Sequence, residues 1–143
     1  MSDPVDARVA GRLSIAYMMT LAGEVLHRFP VDMLDLLLVT TIARFNLMAD
    51  APGPRERLTD ATPPRIGISR NAVSRALNVP LETVRRRVAG LIEKNILVEQ
   101  SDGLAFAPDN PVGLGTSAEL ADFNLDQLRR LFHALREHGI DLS

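Results

Sequence analysis

The stretch ISRNAVSRALNVPLETVRRRVAGLIEKNIL at residues 68–97 decides the fold. Ser69 is suited to cap a first helix, because its hydroxyl can accept a backbone N–H of the first turn. Asn78 stands where a tight turn needs a residue at positive φ, and asparagine is the commonest substitute for glycine there. Pro80 interrupts the first helix and permits a second helix from Leu81. Two helices joined by a tight turn make a helix-turn-helix.

Apolar residues recur at helical spacing along both predicted helices. In the first helix the small Ser74 stands between Val73 and Leu77, which allows the two helices to cross closely. In the second helix, apolar residues lie at i, i+4, i+7 and i+8 and make a single stripe. That stripe consists of Val84, Val88, Leu91 and Ile92. Val79, between the helices, is expected to turn back into the same core.

Two short alternating runs follow the second helix, ILVEQ at 96–100 and LAFAP at 104–108. The Asp102-Gly103 pair between them is typical of a hairpin turn, since both residues tolerate positive φ. The inward residues of the hairpin are expected to be Ile96, Val98, Leu104 and Phe106. A β-hairpin in this position is the wing of a winged helix-turn-helix.

With these elements, residues of about 33–108 resemble the winged-helix domain of bacterial transcriptional regulators. The segment NAVSRALNVPLETVRRRVAGLIEKNIL is similar to the recognition segment shared by MarR, GntR and CRP-type regulators. The resemblance implies a mainly α fold with a small β-hairpin wing, flanked by N- and C-terminal helices. It also implies binding to double-stranded DNA, with the second helix (about 81–94) in the major groove. Asn78 in place of glycine and a short wing depart from the usual pattern.

A long helix is predicted before this domain, at 5–29. One apolar face carries Val9, Leu13, Tyr17, Leu21 and Val25, and a second face carries Ile15, Met18, Met19, Ala22 and Leu26. A helix that is apolar on two faces has to be buried on more than one side. The resemblance to MarR regulators, whose terminal helices make the dimer, therefore predicts a C2 homodimer that reads two half-sites.

Further helices are predicted at 32–49, as the first helix of the winged domain, and at 117–138. Pro- and Gly-rich segments at 50–67 and 107–116 are predicted to be a loop and a linker. The first has Asp32 and Asp35 at its N-terminus and the inward residues Leu34, Leu37, Leu38, Thr41, Ile42 and Phe45. The last has a Thr116–Glu119 capping box, a stop at Gly139 and the inward residues Leu120, Phe123, Leu128, Leu131, Phe132 and Leu135. Residues 55–60 are expected to form a short helical turn, and 65–68 the first strand of the wing sheet. The predicted segments are 1–30 for the N-terminal helix, 31–108 for the winged domain and 109–143 for the linker and C-terminal helix.

The charges of the chain are segregated. Overall the formal net charge is −2. From Arg65 to Lys94 there are seven basic residues and two acidic ones, a net charge of +5, whereas the remainder has nine basic and sixteen acidic residues, a net charge of −7. A basic segment on an otherwise acidic protein is the electrostatic pattern of a site for a polyanion.

The outer face of the second helix, opposite the apolar stripe, centres on Arg86. Arg86 is predicted to contact guanine O6 and N7 in bidentate fashion, while Arg85 and Arg87 on its flanks grip phosphates. Glu82 either accepts from a cytosine amino group or merely favours the helix N-terminus. An arginine triplet alone is usually a solvated surface, and its place in this motif is what favours DNA contact. The candidate DNA-binding residues are Arg70, Arg75, Glu82, Thr83, Arg85, Arg86 and Arg87.

Other classes of site receive little support from the sequence. His27, His133 and His138 lack metal-ligand spacing, and no nucleophile elbow, phosphate-binding glycine loop or carboxylate pair suggests an enzyme or a cofactor. No run approaches eighteen unbroken apolar residues, so no membrane span is expected, and a secretory signal at 13–22 is disfavoured by the preceding acids. The methionines Met18, Met19, Met33 and Met48 suit core packing better than a small-molecule pocket, which leaves an effector open.

The sequence therefore predicts a cytoplasmic, dimeric, sequence-specific DNA-binding regulator; the absence of cysteine fits a reducing compartment. The alternative is a winged-helix protein-interaction module that does not bind DNA. The overall acidity of the chain and a wing tip without a cation would suit such a module. DNA binding without regulation, as in a replication or partition accessory protein, also remains open.

Overall fold

A computed structural model describes residues 3–47, 66–107 and 117–142. The described elements are mainly helical with one antiparallel hairpin, as predicted. They are α1 (Pro4–Arg28), α2 (Met33–Leu47), α3 (Arg70–Leu77), α4 (Leu81–Glu93), β1 (Leu97–Gln100), β2 (Gly103–Phe106) and α5 (Ala118–Glu137). The chain forms two compact units, one from residues 1–30 with 114–143 and the other from 31–113. The predicted N-terminal and C-terminal segments thus belong to one unit, here called the α1/α5 unit, and the other is called the wing unit.

The turn between α3 and α4 has the predicted geometry. The Ser69 hydroxyl caps α3 by accepting the Ala72 N–H at 3.1 Å. Asn78 adopts the left-handed conformation with φ 52°, and the N–H of Val79 donates to the Ser74 carbonyl at 3.1 Å. The Ser74 hydroxyl also donates to the Val79 carbonyl at 2.6 Å. Ser74 therefore stabilises the turn through hydrogen bonds as well as through its small size.

A second left-handed asparagine ends α4. Asn95 has φ 60°, and the N–H of Ile96 donates to the Leu91 carbonyl at 2.9 Å. This pairing satisfies a carbonyl that the helix end would otherwise leave free, in the manner of a Schellman motif. No pattern in the sequence indicated this role of Asn95. The left-handed turn at Asn95 directs the chain from α4 into the wing, while Val84, Val88 and Leu91 of α4 face the core.

The wing sheet pairs β1 with β2 in antiparallel register, from Leu97 opposite Phe106 to Gln100 opposite Gly103. Ile68 forms a bridge with Leu104 on the other side of β2, which agrees with the predicted strand at 65–68 within its described part. Since β2 has neighbours on both sides, it is the central strand, and all of Leu104–Phe106 is buried.

Two details of the predicted hairpin are wrong. Val98 is 38% exposed and Leu97 is 1% exposed. Ile96 is buried as predicted but precedes the strand, so the alternation along β1 starts from Leu97 and turns Val98 outward. The turn centres on Ser101 and Asp102, and of the pair Asp102-Gly103 only Gly103 has positive φ, at 134°. A Cβ at Gly103 would lie 2.7 Å from the Ile68 backbone, so this glycine is required by space as well as by φ.

Helix α2 packs against α3, α4 and β2 within the wing unit. Its core residues include the predicted Leu38 and Ile42, together with Val39, which the sequence analysis missed. Leu37 and Phe45, predicted to face inward, are 46% and 37% exposed. The predicted inward face is rotated about the axis of α2 relative to the face that is buried, because the leucine run at 36–38 fits more than one apolar face.

In the α1/α5 unit, α1 and α5 pack against each other. On α1 the first predicted face is buried or half-buried, with Val25 4% exposed, and Tyr17 donates a hydrogen bond to Asn124 of α5. Arg28 pairs with Glu24 at 2.5 Å and with Glu119 at 2.9 Å, which joins the two helices.

The predicted cap at the start of α5 is wrong by one residue, and the predicted end of the helix is correct. Ser117 is the cap, accepting the Leu120 N–H at 3.3 Å, and Glu119 is therefore one position short of a capping-box partner. Phe132, predicted to face inward, is 52% exposed, because it lies at the edge of the apolar stripe, about 60° around the helix from Leu135 and about 120° from Leu120. Gly139 ends the helix as predicted, with φ 73°.

Several predictions fall on residues outside the described ranges. These are the loop and helical turn within 48–65, the linker residues 108–116 with Thr116, and Met48. The core packing expected for the other methionines is wrong, since Met18, Met19 and Met33 are all more than 40% exposed.

Helix α1 is long and apolar enough, by length and composition alone, to cross a membrane. Its most apolar window of 18 residues has a mean hydropathy of 1.2, and 6% of that window is buried. A signal sequence near an N-terminus would pass the same test. The absence of an unbroken apolar run is thus too weak a basis for excluding a span.

Candidate nucleic-acid interface

The outer face of α4 is exposed, as its amphipathic pattern predicts. Val84, Val88 and Leu91 turn into the core of the wing unit. The exposed residues on the opposite face are Glu82, Arg85, Arg86, Ala89 and Glu93. Thr83 is half-buried at the edge of this face. The N-terminal part of a recognition helix makes the base contacts, and its side chains Glu82, Arg85 and Arg86 are therefore available at the surface, whereas Glu93 lies at the C-terminal end of α4.

Arg86 is at the centre of this outer face and is the residue best placed to read a base. Within the described parts of the chain it forms no ion pair, so its guanidinium is free to meet a ligand. The neighbouring Ala89 is small, and a Cβ added at Gly90 would meet no atom within 4 Å. The helix therefore presents a low surface beside Arg86, which allows its backbone to approach a groove closely.

Arg85 lies beside Arg86 but has an acidic partner on the same helix. Its Nη1 is 2.8 Å from Glu82 Oε1, and both side chains are more than half exposed. Glu82 is in the first turn of α4, where a negative charge is favoured by the helix dipole. Pro80 provides no side-chain cap for α4, so the charge of Glu82 stabilises the start of the helix. This role does not depend on bound DNA.

Arg87 does not match the role that the sequence suggested. It is half-buried and pairs with Asp32 and with Asp35, whose Oδ1 is 3.4 Å from Arg87 Nη1. Asp32 also accepts the Asp35 N–H at 2.8 Å and so caps α2. These contacts hold α4 against the N-terminus of α2. The N–H of Asp35 and the Arg87 guanidinium together keep the pKa of Asp32 below its ordinary value.

The two arginines of α3 also differ from each other. Arg70 pairs with Glu99 of β1, which links the start of α3 to the wing. Arg75 is exposed, and within the described residues it has no ion pair. Of the seven candidate residues, Arg75 and Arg86 are exposed and form no ion pair with the residues that the structure describes, whereas Arg70, Arg85 and Arg87 pair with carboxylates.

The fold reduces the charge of the basic segment. Asp32, Asp35 and Glu99 lie outside the 65–94 segment in sequence, but their carboxylates contact its arginines. With these three acids included, seven basic residues meet five acidic ones, and the net charge falls from +5 to +2. These partners could not be predicted from the sequence, because ion pairs between residues 29 to 55 positions apart leave no local pattern.

The wing tip has a structural role. Asp102 accepts the Gly67 N–H at 2.9 Å, and a Cβ at Gly67 would lie 2.4 Å from the Asp102 carboxylate. The hydrogen bond from Gly67 holds the pKa of Asp102 below its ordinary value. Asp102 thus ties the turn of the wing to the strand before α3, and its negative charge is unsuited to a phosphate contact.

The structure gives less support for a small-molecule site or a metal site than for the nucleic-acid interface. A shallow groove of about 150 Å³ lies between α1 and α5, lined by Leu13, Ala16, Tyr17, Thr20, Gln127, Arg130, Leu131 and Ala134. None of the exposed methionines lines it. Over residues 3–47, 66–107 and 117–142, no three histidine, cysteine, aspartate or glutamate side chains are grouped so that they could hold a metal ion.

Comparison of the chain with known protein families, with curated proteins and with solved structures finds no match. The relation to winged-helix regulators therefore depends on the residues and geometry described above.

Proposed function

We propose that the protein is a sequence-specific double-stranded DNA-binding regulator of the winged-helix class. The observation that carries the proposal is the exposed outer face of α4, where Arg86 forms no ion pair with any described residue and lies beside the small Ala89 and Gly90. A helix of this shape, set on a helix-turn-helix, fits the major groove, where an arginine discriminates guanine through its O6 and N7 acceptors.

The roles of the arginines are distributed accordingly. Arg86 specifies a base, while Arg75, Arg85 and Arg70 contribute phosphate contacts that set register and affinity. Arg87 positions α4 on α2 and is not assigned to the DNA. The protein acts in the cytoplasm as a homodimer, so that two α4 helices meet half-sites spaced by one or more helical turns.

The experiment that tests the function is selection of bound duplexes from a random-sequence pool at near-physiological salt, followed by sequencing. The expected result is an enriched inverted repeat that contains a conserved guanine in each half. The same selection with the variant Arg86→Ala is the control, and it should return sequences without that guanine. Enrichment of a motif without symmetry would contradict the dimer but leave sequence-specific binding in place.

The second candidate function is a protein-interaction module. The pairing of Arg70, Arg85 and Arg87 with carboxylates favours it, because these contacts reduce the positive charge that would attract DNA. Failure to retain any duplex at low salt would contradict the DNA-binding function and favour this module. An acidic partner would then compete for the same Arg86 surface.

A further inference from the structure

Two of the proposed phosphate-contacting arginines are already occupied by exposed glutamates. Arg85 and Glu82 have side chains that are 57% and 84% exposed. The Arg70 and Glu99 side chains are 30% and 56% exposed. Exposed ion pairs of this kind contribute little to stability, so stability alone does not account for both of them.

A phosphate cannot be added to such a pair without cost. A phosphate that contacts Arg85 would approach the Glu82 carboxylate, because Glu82 and Arg85 lie one helical turn apart on the same side of α4. Two negative groups at that separation repel each other. The arginine can therefore contact a phosphate only by leaving its carboxylate partner, and while it stays with the carboxylate that phosphate contact is missing from the complex.

We propose that Glu82 and Glu99 are internal competitors of the DNA backbone, which hold Arg85 and Arg70 in the free protein and lower the affinity for DNA of every sequence. This inference rests on the proposed DNA-binding function. Arg86, the base-reading residue, has no such competitor in the described structure. The competition thus acts on the contacts that carry no sequence information and leaves base recognition unchanged.

The proposal is tested with Glu82→Gln, Glu99→Gln and the double variant, each titrated with a random-sequence duplex and with the selected duplex over a range of salt. Glu93→Gln is the matched control, since Glu93 is also an exposed glutamate of α4 but forms no ion pair within the described residues. Thermal unfolding of each variant checks that the fold is retained, because Glu82 stands in the first turn of α4.

Each freed arginine should add about one phosphate contact. The slope of log K against log salt should then become steeper by about 0.9 for each single variant and by about twice that for the double variant. For each single variant, the gain in affinity over the wild type should be roughly three- to fourfold larger at about 50 mM salt than at about 200 mM salt. The ratio of affinities for the selected and the random duplex should not change, and Glu93→Gln should leave the slope as in the wild type.

A double-mutant cycle checks that the effect passes through the paired arginine. Arg70→Ala should weaken DNA binding more in the Glu99→Gln background than in the wild type, because only the former leaves Arg70 free.

Three outcomes would overturn the proposal, and they are distinguishable from one another. If the wild type binds DNA but the two single variants and the double variant all behave like Glu93→Gln, the competition is absent and the DNA-binding function stands. If Glu82→Gln loses preference at a single base position, Glu82 reads a base instead. If neither the wild type nor the double variant binds DNA at any salt, the proposed function fails as well.

Discussion

At the scale of single residues, three consecutive arginines have three different environments. Successive positions on a helix are turned by about 100°, so Arg85, Arg86 and Arg87 point in different directions. Arg86 is unpaired in the described structure, Arg85 meets a glutamate of its own helix, and Arg87 meets two aspartates near the start of α2. The apolar stripe alone predicted which way each residue faces. The partners of Arg87 could not be predicted, because they depend on the packing of α2.

Replacement of Arg86 by alanine should weaken binding to the selected duplex by about 1–3 kcal/mol and relax the preference at one base position. The reason is the loss of a bidentate contact with guanine. Titration of the selected duplex and of single-base variants measures both effects. Arg75→Ala is the control and should weaken all sequences alike. Equal losses on every sequence for Arg86→Ala would show that Arg86 does not specify a base.

Replacement of Arg87 by alanine should lower the midpoint of thermal unfolding and leave the salt slope of DNA binding unchanged. The variant leaves Asp35, which is 7% exposed, without its cation, and a buried charge without a partner is destabilising. Circular dichroism measures the midpoint, with Arg85→Ala as the control at an exposed position. A salt slope that becomes shallower by about 0.9 would instead assign Arg87 to a phosphate.

At the scale of elements, the wing is joined to α2 by one buried asparagine. Asn46 is 2% exposed, and its Nδ2 donates to the carbonyls of Ile66 at 2.5 Å and Leu104 at 3.1 Å. Its Oδ1 accepts the Phe106 N–H at 3.3 Å. One side chain therefore connects α2, the strand before α3 and the central strand β2. Polar residues at such positions are satisfied by distant backbone groups, which the sequence pattern does not show.

Replacement of Asn46 by alanine should destabilise the wing unit by about 1–3 kcal/mol, the cost of leaving a buried polar group without its hydrogen bond. Three backbone groups lose the hydrogen bond to Asn46, although the Leu104 carbonyl keeps the Ile68 N–H at 3.0 Å. Chemical denaturation measures the change in the free energy of unfolding. Asn71→Ala, at an exposed position of α3, is the matched control and should change it little. Equal stabilities of the two variants would contradict the role of Asn46.

Two aspartates that join elements should make the fold sensitive to acid. Hydrogen bonds from Asp35 and Arg87 lower the pKa of Asp32, and a hydrogen bond from Gly67 lowers that of Asp102, both from an ordinary value of 3.8. A carboxyl whose pKa is lower in the folded state stabilises the fold above its ordinary pKa. That contribution is lost as the pH falls through the folded-state pKa.

The midpoint of thermal unfolding should therefore decrease as the pH is lowered below about 5, and it should decrease less steeply for Asp102→Asn. Asparagine at 102 keeps an oxygen that can accept the Gly67 N–H but does not titrate. Glu93→Gln is the control and should follow the wild type. A curve for Asp102→Asn that is parallel to the wild type would show that Asp102 does not contribute to acid sensitivity.

The limits of helices, caps and turns could largely be predicted from the sequence, and the contacts among distant elements could not. Ser69, Asn78 and Gly139 act where local pattern placed them, because caps and left-handed turns depend on residues within one helical turn. Leu37 and Phe132 were assigned to the wrong side, because an apolar residue next to an apolar stripe fits two orientations. Which one is adopted depends on the neighbouring element.

At the scale of the whole molecule, α1 has an apolar side that α5 does not cover. Ile15, Met18 and Met19 are 58%, 53% and 56% exposed, and they lie opposite the α1 face that carries Leu13 and Tyr17. Exposed apolar side chains that are grouped in this way mark surfaces of association. In the proposed dimer they are covered by the same helix of a second copy, which a C2 axis brings against itself.

The double variant Ile15→Glu with Met19→Glu should therefore be monomeric, whereas the wild type should sediment as the proposed dimer. Two charges at the centre of an isologous interface meet their own copies, so four glutamates would be desolvated together. Sedimentation velocity at micromolar concentration measures the change, and Ser14→Glu, at an exposed position of the same helix, is the control. The variant should also bind the inverted repeat no more tightly than a single half-site, since avidity is lost. A wild type that is monomeric would contradict the dimer, and a wild type that floats with lipid vesicles would assign this face of α1 to a membrane.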